Sequence, residues 1–542
     1  MAGILGISTS GLLAAQQALD VTGHNIANVN TEGYSRQRVD LSPKEAQFNG
    51  GGYVGQGVSA TISRVYDRFI NDQLTSSTSA FSEADTLSTL ASQIDNMVSS
   101  QATSVSPPLK SFFSAVNEVA NDPASLPARQ VMLGEAQSVS QQFNTLSTQL
   151  DDVRKQTNNQ MGAMLDEINA YTQSIAVLNN QIVLDKSRSS DGQLPNDLLD
   201  QRDTLIAKIA EKVKVSTLQQ QDGSINVSIG NGQSLVLGDT AVKLSMQSTR
   251  DVSSHKMILM DGRDITHQIT GGQLSGIVQF QAEILDPAQQ QMGLLAVGFA
   301  VQFNEVHTAG FDLNAQAGKA FFDVGTPLVT AGANTVGTIT TNYDAATIGQ
   351  LAPSDYQLSY DGSNFSLKRL SDNLVTAFPG PPPTTIEGPG FKIETSGTVT
   401  ANDSFLIRPT FNAAQNLTSL ITDPAEIAAS SSAETMPGDN TIALKLAGLE
   451  NKSSMLGGNA TLNEVNGQLI AKVGTSTRSA KINTAAQQSL YNLAKQSRES
   501  LSGVNLDEEA ANLIKFKQAY QAAAQAISTA SSLFDALISA MR

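Results

Sequence analysis

The chain has 542 residues, 50 acidic against 34 basic side chains, a net charge of −16 and no cysteine. The acidic balance argues against a nucleic-acid partner, because such binders carry basic patches. Without cysteine there is no disulfide, no thiol nucleophile and no thiolate metal site. The length allows about three or four domains, and a hydrophobic content of 40% can fill their cores. Met1 to Ile7 lacks the basic region and long apolar run of a signal peptide. The apolar stretch from Gly293 to Val301 is too short to span a bilayer. These rules by themselves read as cytoplasmic.

At the N-terminus Leu5, Ser8, Leu12, Ala15, Leu19, Thr22, Ile26 and Val29 recur three and four residues apart, the spacing of a coiled-coil seam. The helix is predicted to start near Ser8 or Ser10 and to end around Asn28 to Gly33, where Asn and Gly tolerate a left-handed stop. Tyr34 to Leu41 reads as extended and is closed by Pro43. Gly50 to Gly57 is glycine-rich but lacks the Gly-Lys-Ser/Thr of a phosphate loop, so it reads as a flexible turn. Val58 to Ile62 alternates as a strand.

Helical periodicity then runs from Phe69 to about Val98, and Pro107-Pro108 breaks it. A short helix from Leu109 to Val119, a long one from about Ala128 to Leu184 and another from Asp197 to Val213 complete an antiparallel bundle. At Val215 the period changes to two. Asn231-Gly232 and Asp261-Gly262 are hairpin signals in a small β unit ending near Gly271-Gly272. A helix resumes there and runs past Pro287 to His307. From Gly310 to about Glu450, short strand-like runs punctuated by Gly, Thr, Asp and Pro predict one outer β domain. Helix returns by Ala485.

From Val504 to Arg542 the seam reappears as Leu513, Phe516, Tyr520, Ala523, Ile527, Ala530, Phe534, Leu537 and Met541, with no Gly or Pro to interrupt it. Asn505 is the expected cap, with Glu508 completing a capping box. Two complementary helices at opposite ends of the chain predict that it leaves and returns along one axis. The fold class is thus α+β multidomain, in nested order. Residues 1–42 and 504–542 form a terminal coiled-coil axial domain, and 43–214, 272–310 and 451–503 a helical bundle. Residues 215–271 form the small β unit and 311–450 the outer β domain. The seams are thin in large apolar groups, so both ends are expected to order fully only on assembly.

Specific motifs sharpen this reading. Ser10-Gly11-Leu12, Asn25-Ile26-Ala27-Asn28 and Asn30-Thr31-Glu32-Gly33-Tyr34-Ser35-Arg36-Gln37 resemble the N-terminal signature of bacterial flagellar rod, hook and hook-associated axial proteins. Gly503 to Leu513, continued by Gln518 to Ala524, resembles the matching C-terminal signature. Within that group Phe299, Phe303-Asn304, His307, Gly310, Asp312-Leu313-Asn314 and Phe321-Phe322 resemble the hook-associated protein 1 family, with Ala315 where a glycine is usual. The resemblance implies a structural role and no cofactor. Subunits would ring the distal end of the hook, contact the hook protein and seat the second junction protein before the filament grows. It also implies extracellular export without a cleaved signal peptide, and a cytoplasmic chaperone covering the C-terminal helix beforehand. The assembly interface is expected at Leu5, Leu12, Ala15, Leu19, Asn25, Ile26, Asn28, Gly33 and Tyr34. On the C-terminal helix it is expected at Leu513, Phe516, Tyr520, Ala523, Ile527, Phe534 and Leu537.

Catalytic readings are weak. Of the four histidines, His24 lies beside the N-terminal seam, and Asn304-Glu305-Val306-His307 lacks the paired His of a zinc-protease helix. Asp151-Asp152 and Asp507-Glu508-Glu509 read as solvated or capping carboxylates. The rival readings are another axial protein of the same group, a secreted wall hydrolase, and an adhesin-like surface protein using residues 310–450.

Overall fold

The computed structural model describes residues 2–48, 53–189, 193–248 and 256–541, with the side chains at 2–4, 47, 53–54 and 537 outside the description. Gly50 to Gly52, His255 and the Leu537 side chain therefore lie outside the described residues. The helices are α1 (Ala2–Ala27), α2 (Arg68–Ser99), α3 (Ser106–Asn121), α4 (Leu126–Arg188), α5 (Asn196–Lys212), α6 (Gly272–Phe280), α7 (Asp286–Thr308), α8 (Ala413–Asn416), α9 (Thr441–Gly448), α10 (Leu462–Ser502) and α11 (Leu506–Ala540).

Local chemistry explains most of their ends. Asp67 caps α2 by accepting from the Ile70 N–H, Ser125 caps α4, and Thr461 with Glu464 forms a reciprocal capping box on α10. Pro107-Pro108 begins α3 rather than breaking a chain, because the missing N–H groups fall where a first helical turn has free donors. Pro287 has no N–H to offer the preceding turn, and the chain widens into a π-turn at Gln281–Leu285 between α6 and α7. Helix α1 starts by Ala2, earlier than the serines suggested. Gly6 and Gly11 cost it only about 1 kcal/mol each.

The helical layer is built on α4, whose 63 residues run past α3, α5, α6 and α7, while α10 pairs with α2. Its core continues through a cluster of phenylalanines. Phe112 and Phe113 of α3, Phe299 and Phe303 of α7, and Phe321 and Phe322 are all buried. Neighbouring rings stand 4.8 to 6.3 Å apart, mostly edge to face or tilted.

The small β unit holds a four-stranded sheet, with Val215–Gln219, Ile225–Ile229, Gln233–Leu237 and Thr240–Ala241 in that order, and a three-stranded sheet from Leu244–Ser248 to Arg263–Asp264. Two asparagines of α4 fasten it. Asn179 donates to Ile225 O and accepts from Ile225 N, and Asn169 does the same with Leu244, all at 2.8 to 3.1 Å.

The outer domain is a five-stranded antiparallel sheet, ordered Leu328–Ala331, Ser404–Arg408, Tyr356–Tyr360, Asn364–Arg369 and Val375–Pro379, beside a three-stranded one. It is smaller than residues 311–450. Phe322–Asp323 pairs with Thr418–Ser419 where the chain enters and leaves, and α8 and α9 beyond it pack on α3, α4 and α7. Buried Arg129 of α4 donates to the carbonyls of Pro123, Pro424 and Ile427, drawing the segment that follows the sheet onto the helices. Gly293 lets the Thr410 carbonyl reach the α7 backbone, where a Cβ would collide with it. The short, irregular runs of 410–450 read as an extension of the strand-like region before them, and sequence pattern cannot say which layer they cover.

The central patch that singled out one family is core. Asn304 accepts from the Phe321 and Phe322 N–H groups and donates to Phe322 O. Ala315, at a φ of 60°, occupies the left-handed conformation that favours the usual glycine. His307 is fully buried. Its Nδ1–H donates to Lys319 O at 2.7 Å and its Nε2 accepts from Ala428 N–H at 2.9 Å, which fixes the neutral tautomer. Burial pushes its pKa down to about 4, below the unfolded value near 6.5. The stability that neutral His307 contributes is therefore complete above about pH 6.5 and is lost as pH falls towards 4, by about 3 kcal/mol. Denaturant unfolding at pH 7 and pH 4 checks this: the native chain should lose about 3 kcal/mol more than His307→Gln. Equal losses would contradict it.

Candidate functional site

The two termini meet at one end of the helical layer. The chain leaves α1 through Asn28, and Gly33 turns it at a φ of 81°, with no room for a Cβ against Thr204. The extended segment that follows becomes the strand Gln37–Pro43, paired antiparallel with Val58–Arg64. That hairpin packs on α1, so the unit it belongs to runs past residue 42.

Asn25, 1% exposed, pairs with the Gln37 backbone, donating to its carbonyl at 2.8 Å and accepting from its N–H at 2.9 Å. Tyr34 Oη donates to Asn25 Oδ1 at 2.7 Å, and His24 Nδ1 lies 3.1 Å from the same hydroxyl. Burial, aided by Asp197, Asp200 and Glu509, pushes the Tyr34 phenol well above its ordinary pKa, so it remains a donor. Asn28 donates to His24 O and accepts from the Thr31 hydroxyl, closing the end of α1.

Ionic contacts fasten this segment on both sides. Ser35 N–H donates to Asp200, and Arg64 bonds Asp200 at 2.8 Å and Asp203 at 2.7 Å. Arg36 reaches Glu508 through both terminal nitrogens and Glu509 through Nε at 2.7 Å. Burial opposes its charge, but the two carboxylates outweigh that and raise its pKa. Glu509 is only 1% exposed. Arg498 donates to the carbonyls of Gly33 and Tyr34, and Arg36 N–H to Ser502 O. Asn505 caps α11 as expected, but Glu508 spends its carboxylate on Arg36 rather than on a reciprocal cap. The signature residues Asn25, Gly33 and Tyr34 thus contact their own chain.

From this joint α1 runs in and α11 runs out, side by side and antiparallel. Ala14, Ala15, Ala18 and Val21 are buried, with Leu12, Leu19, Ile26 and, on α11, Phe516, Ala523 and Ile527 half-buried. Leu5, Leu513 (38% exposed), Tyr520 and Phe534 (52% exposed) remain open. Met541 at the end of the seam is open as well, and Ile7, Leu13, Ile514, Leu533 and Ile538, which a single-seam reading leaves out, join them. The inward face of α1 is thus mainly alanine, that of α11 mixes Phe516 and Ile527 with Ala523, and each helix leaves further large apolar residues open.

Two clefts, of about 1000 and 750 Å³, flank the joint. Tyr66, Tyr491 and Arg498 line the first, and His24, Val177 and Leu205 the second. Among the described residues no group of three His, Asp or Glu side chains converges as a metal site. Breaking the joint should separate the termini from the layer. In Arg36→Ala the buried Glu509 loses its counter-charge, at a cost of about 3 to 5 kcal/mol. Limited proteolysis should then release α1 and α11 while the helical layer keeps its melting temperature; unchanged protection would contradict the clamp.

Known proteins share this architecture. Family models match along the chain: the flagellar hook-associated protein FlgK helical domain over residues 91–322, and the flagellar hook-associated protein 1 D2-like domain over 329–409. The ends match the flagella basal body rod protein over 5–34 and the flagellar basal body rod FlgEFG protein C-terminal over 495–540. The D2-like match covers the observed sheets and stops before α8. The flagellar hook-associated protein 1 of Escherichia coli (strain K12) is 34% identical over 99% of this chain and 100% of its own length. Its counterpart in Bacillus subtilis (strain 168) is 24% identical over 99% and 98%. The flagellar hook junction protein FlgK from Burkholderia pseudomallei superposes with a TM-score of 0.71 and 25% identity, over 80% of this chain and all of that one. The chain belongs to the flagellar hook-associated protein 1 family.

Proposed function

We propose that this chain is the first junction protein between flagellar hook and filament, a structural component without catalytic activity. Copies ring the distal end of the hook, stack their terminal helices around a central channel and seat the second junction protein. The observation that carries this reading is the free apolar face along α1 and α11. From Lys517 to Ala540 the only charged side chain besides Lys517 is Asp535, and α1 carries only Asp20 and His24. So long a face with so few charges marks a contact surface.

Leu5, Leu513, Tyr520 and Phe534 belong to that covered face, while Asn25, Asn28, Gly33 and Tyr34 serve assembly indirectly, by aiming the helices from the joint. The same openness suits a chain that leaves the cell unfolded through the flagellar export apparatus, with a cytoplasmic chaperone on α11 until then. The outer β domain stands clear of the terminal pair and takes no part in this contact.

The test is a strain lacking this protein, complemented with the native chain or with Leu513→Asp. A carboxylate buried without a partner costs on the order of several kcal/mol, and the site is open in the free chain. The variant should therefore fold normally by circular dichroism yet leave hooks without filaments, with filament subunits free in the medium. Normal filaments from Leu513→Asp would remove the proposed interface. Normal filaments in the uncomplemented strain would remove the junction role.

A further inference from the structure

Helix α10 carries charge of one sign. From Asn466 to Arg498 it holds five cationic residues and no acidic one, in a chain whose net charge is −16. Its inner side is fixed against α2: Thr477 donates to Ala91 O, Thr484 to Ala84 O, and Tyr491 stacks on Phe81. On the opposite side Arg478, Ile482, Leu490 and Leu493 recur at helical spacing, and all four are exposed. The stretch from Ile482 to Ala494 has no charge at all. Arg478 and Lys481 border it, and among the described residues neither has an ion-pair partner.

A second face has the same apolar character and the opposite charge. Residues 168–184 of α4 are uncharged, with Val177 and Leu184 exposed about two turns apart. Val177 lines the second cleft together with Leu178 and Leu205. Glu32 and Asp197, both exposed, stand in the same cleft, and no described lysine or arginine lines it. The two faces lie on opposite edges of the helical layer. Helix α4 packs on α5, α5 on α2 and α2 on α10, so the helices follow one another in that order. Thr204 of α5 lines both clefts, and Tyr491 of α10 lines the first, so both faces flank the joint.

We propose that the outer side of α10 in one copy docks on the α4 face and its acidic cleft in a second copy. The occupant is a second copy because one chain displays both halves of a complementary pair, apolar against apolar and cationic border against acidic rim. Like faces are excluded: two α10 sides would bring cations together, and two clefts would bring carboxylates together. Unlike faces on opposite edges make a head-to-tail contact, the kind that closes into a ring. The proposal rests on the ring reading above and adds a contact on the helical layer to the one along the terminal helices.

A chain without cysteine allows this contact to be tested by cross-linking. The strain lacking this protein is complemented with chains carrying one cysteine on α10 (Ile482→Cys or Leu493→Cys) and one on α4 (Val177→Cys or Leu184→Cys). All four positions are exposed, so circular dichroism of each variant should match the native chain. Assembled flagella are treated with a short bismaleimide, and the chain is followed by immunoblot on a denaturing gel. At least one of the four pairs should give dimers and a ladder of higher species, while every single-cysteine chain stays monomeric. Adding Arg478→Glu with Lys481→Glu should lower the cross-linked fraction by about tenfold, because like charges then meet. Monomer alone from all four pairs, on flagella with the native number of filaments, would overturn the contact. A ladder unchanged by the charge reversal would overturn it too, as would cross-linking through an α10 cysteine alone. Leu513→Asp, run alongside, separates the two failures: if it blocks filaments while every pair stays monomeric, the ring reading stands and this contact falls.

Discussion

A side-chain amide on a helix, bonded both ways to one backbone residue of an extended segment, holds this molecule together. Asn25 pairs with Gln37, Asn169 with Leu244, Asn179 with Ile225 and Asn304 with Phe322, each giving an N–H to the carbonyl and an oxygen to the N–H. The carboxamide supplies one donor and one acceptor in a plane, as a neighbouring strand would. It therefore satisfies a backbone edge that burial against a helix would otherwise leave without partners. These four contacts fix the joint at the termini, both sheets of the small β unit and the loop after α7.

Arginines reinforce the same seams. Arg36 and Arg64 hold the terminal hairpin between α5 and α11, Arg129 holds the segment after the outer sheet, and Arg154 of α4 reaches Asp286 at the start of α7. Removing such a partner leaves a buried charge alone, which is why each is costly to lose. Stiffness is thereby concentrated where the layers meet. The terminal pair leaves a fixed joint, which sets the direction in which its open face points.

Helices were legible over most long periodic stretches, but α10 begins at Leu462, well before Ala485 where its pattern reads clearly. The spans of α2, α4, α5 and α11 follow from apolar spacing and capping residues, as do the Asn231-Gly232 and Asp261-Gly262 hairpins. What pattern alone misses is which of two layers a segment covers. Residues 410–450 read as part of a β domain because they continue the short, punctuated runs that begin at Gly310, whereas Arg129 and Gly293 draw them onto the helices. The motifs were legible as a family mark but not in their physical role. Gly33-Tyr34 and Asn25 read as interface, and they turn out to hold the joint within the chain. Phe303, Asn304 and His307 read as a discriminating patch, and they form core. In the terminal helices a single three-four repeat concealed two faces: alanines of α1 with Phe516 and Ile527 of α11 turn inward, and other large residues such as Leu13, Ile514 and Leu533 stay open.

The central claim is that α1 and α11 of one chain stay paired with each other and use their remaining faces on neighbours. Electron cryo-microscopy of native hook–filament junctions measures this directly. The account predicts α11 antiparallel to α1 of its own chain, joined through Arg36 to Glu508 and Glu509, with Leu513, Ile514 and Phe534 buried against adjacent copies. An α11 that leaves its own α1 for the α1 of a neighbour, or a face from Leu513 to Phe534 still open to solvent, would contradict it.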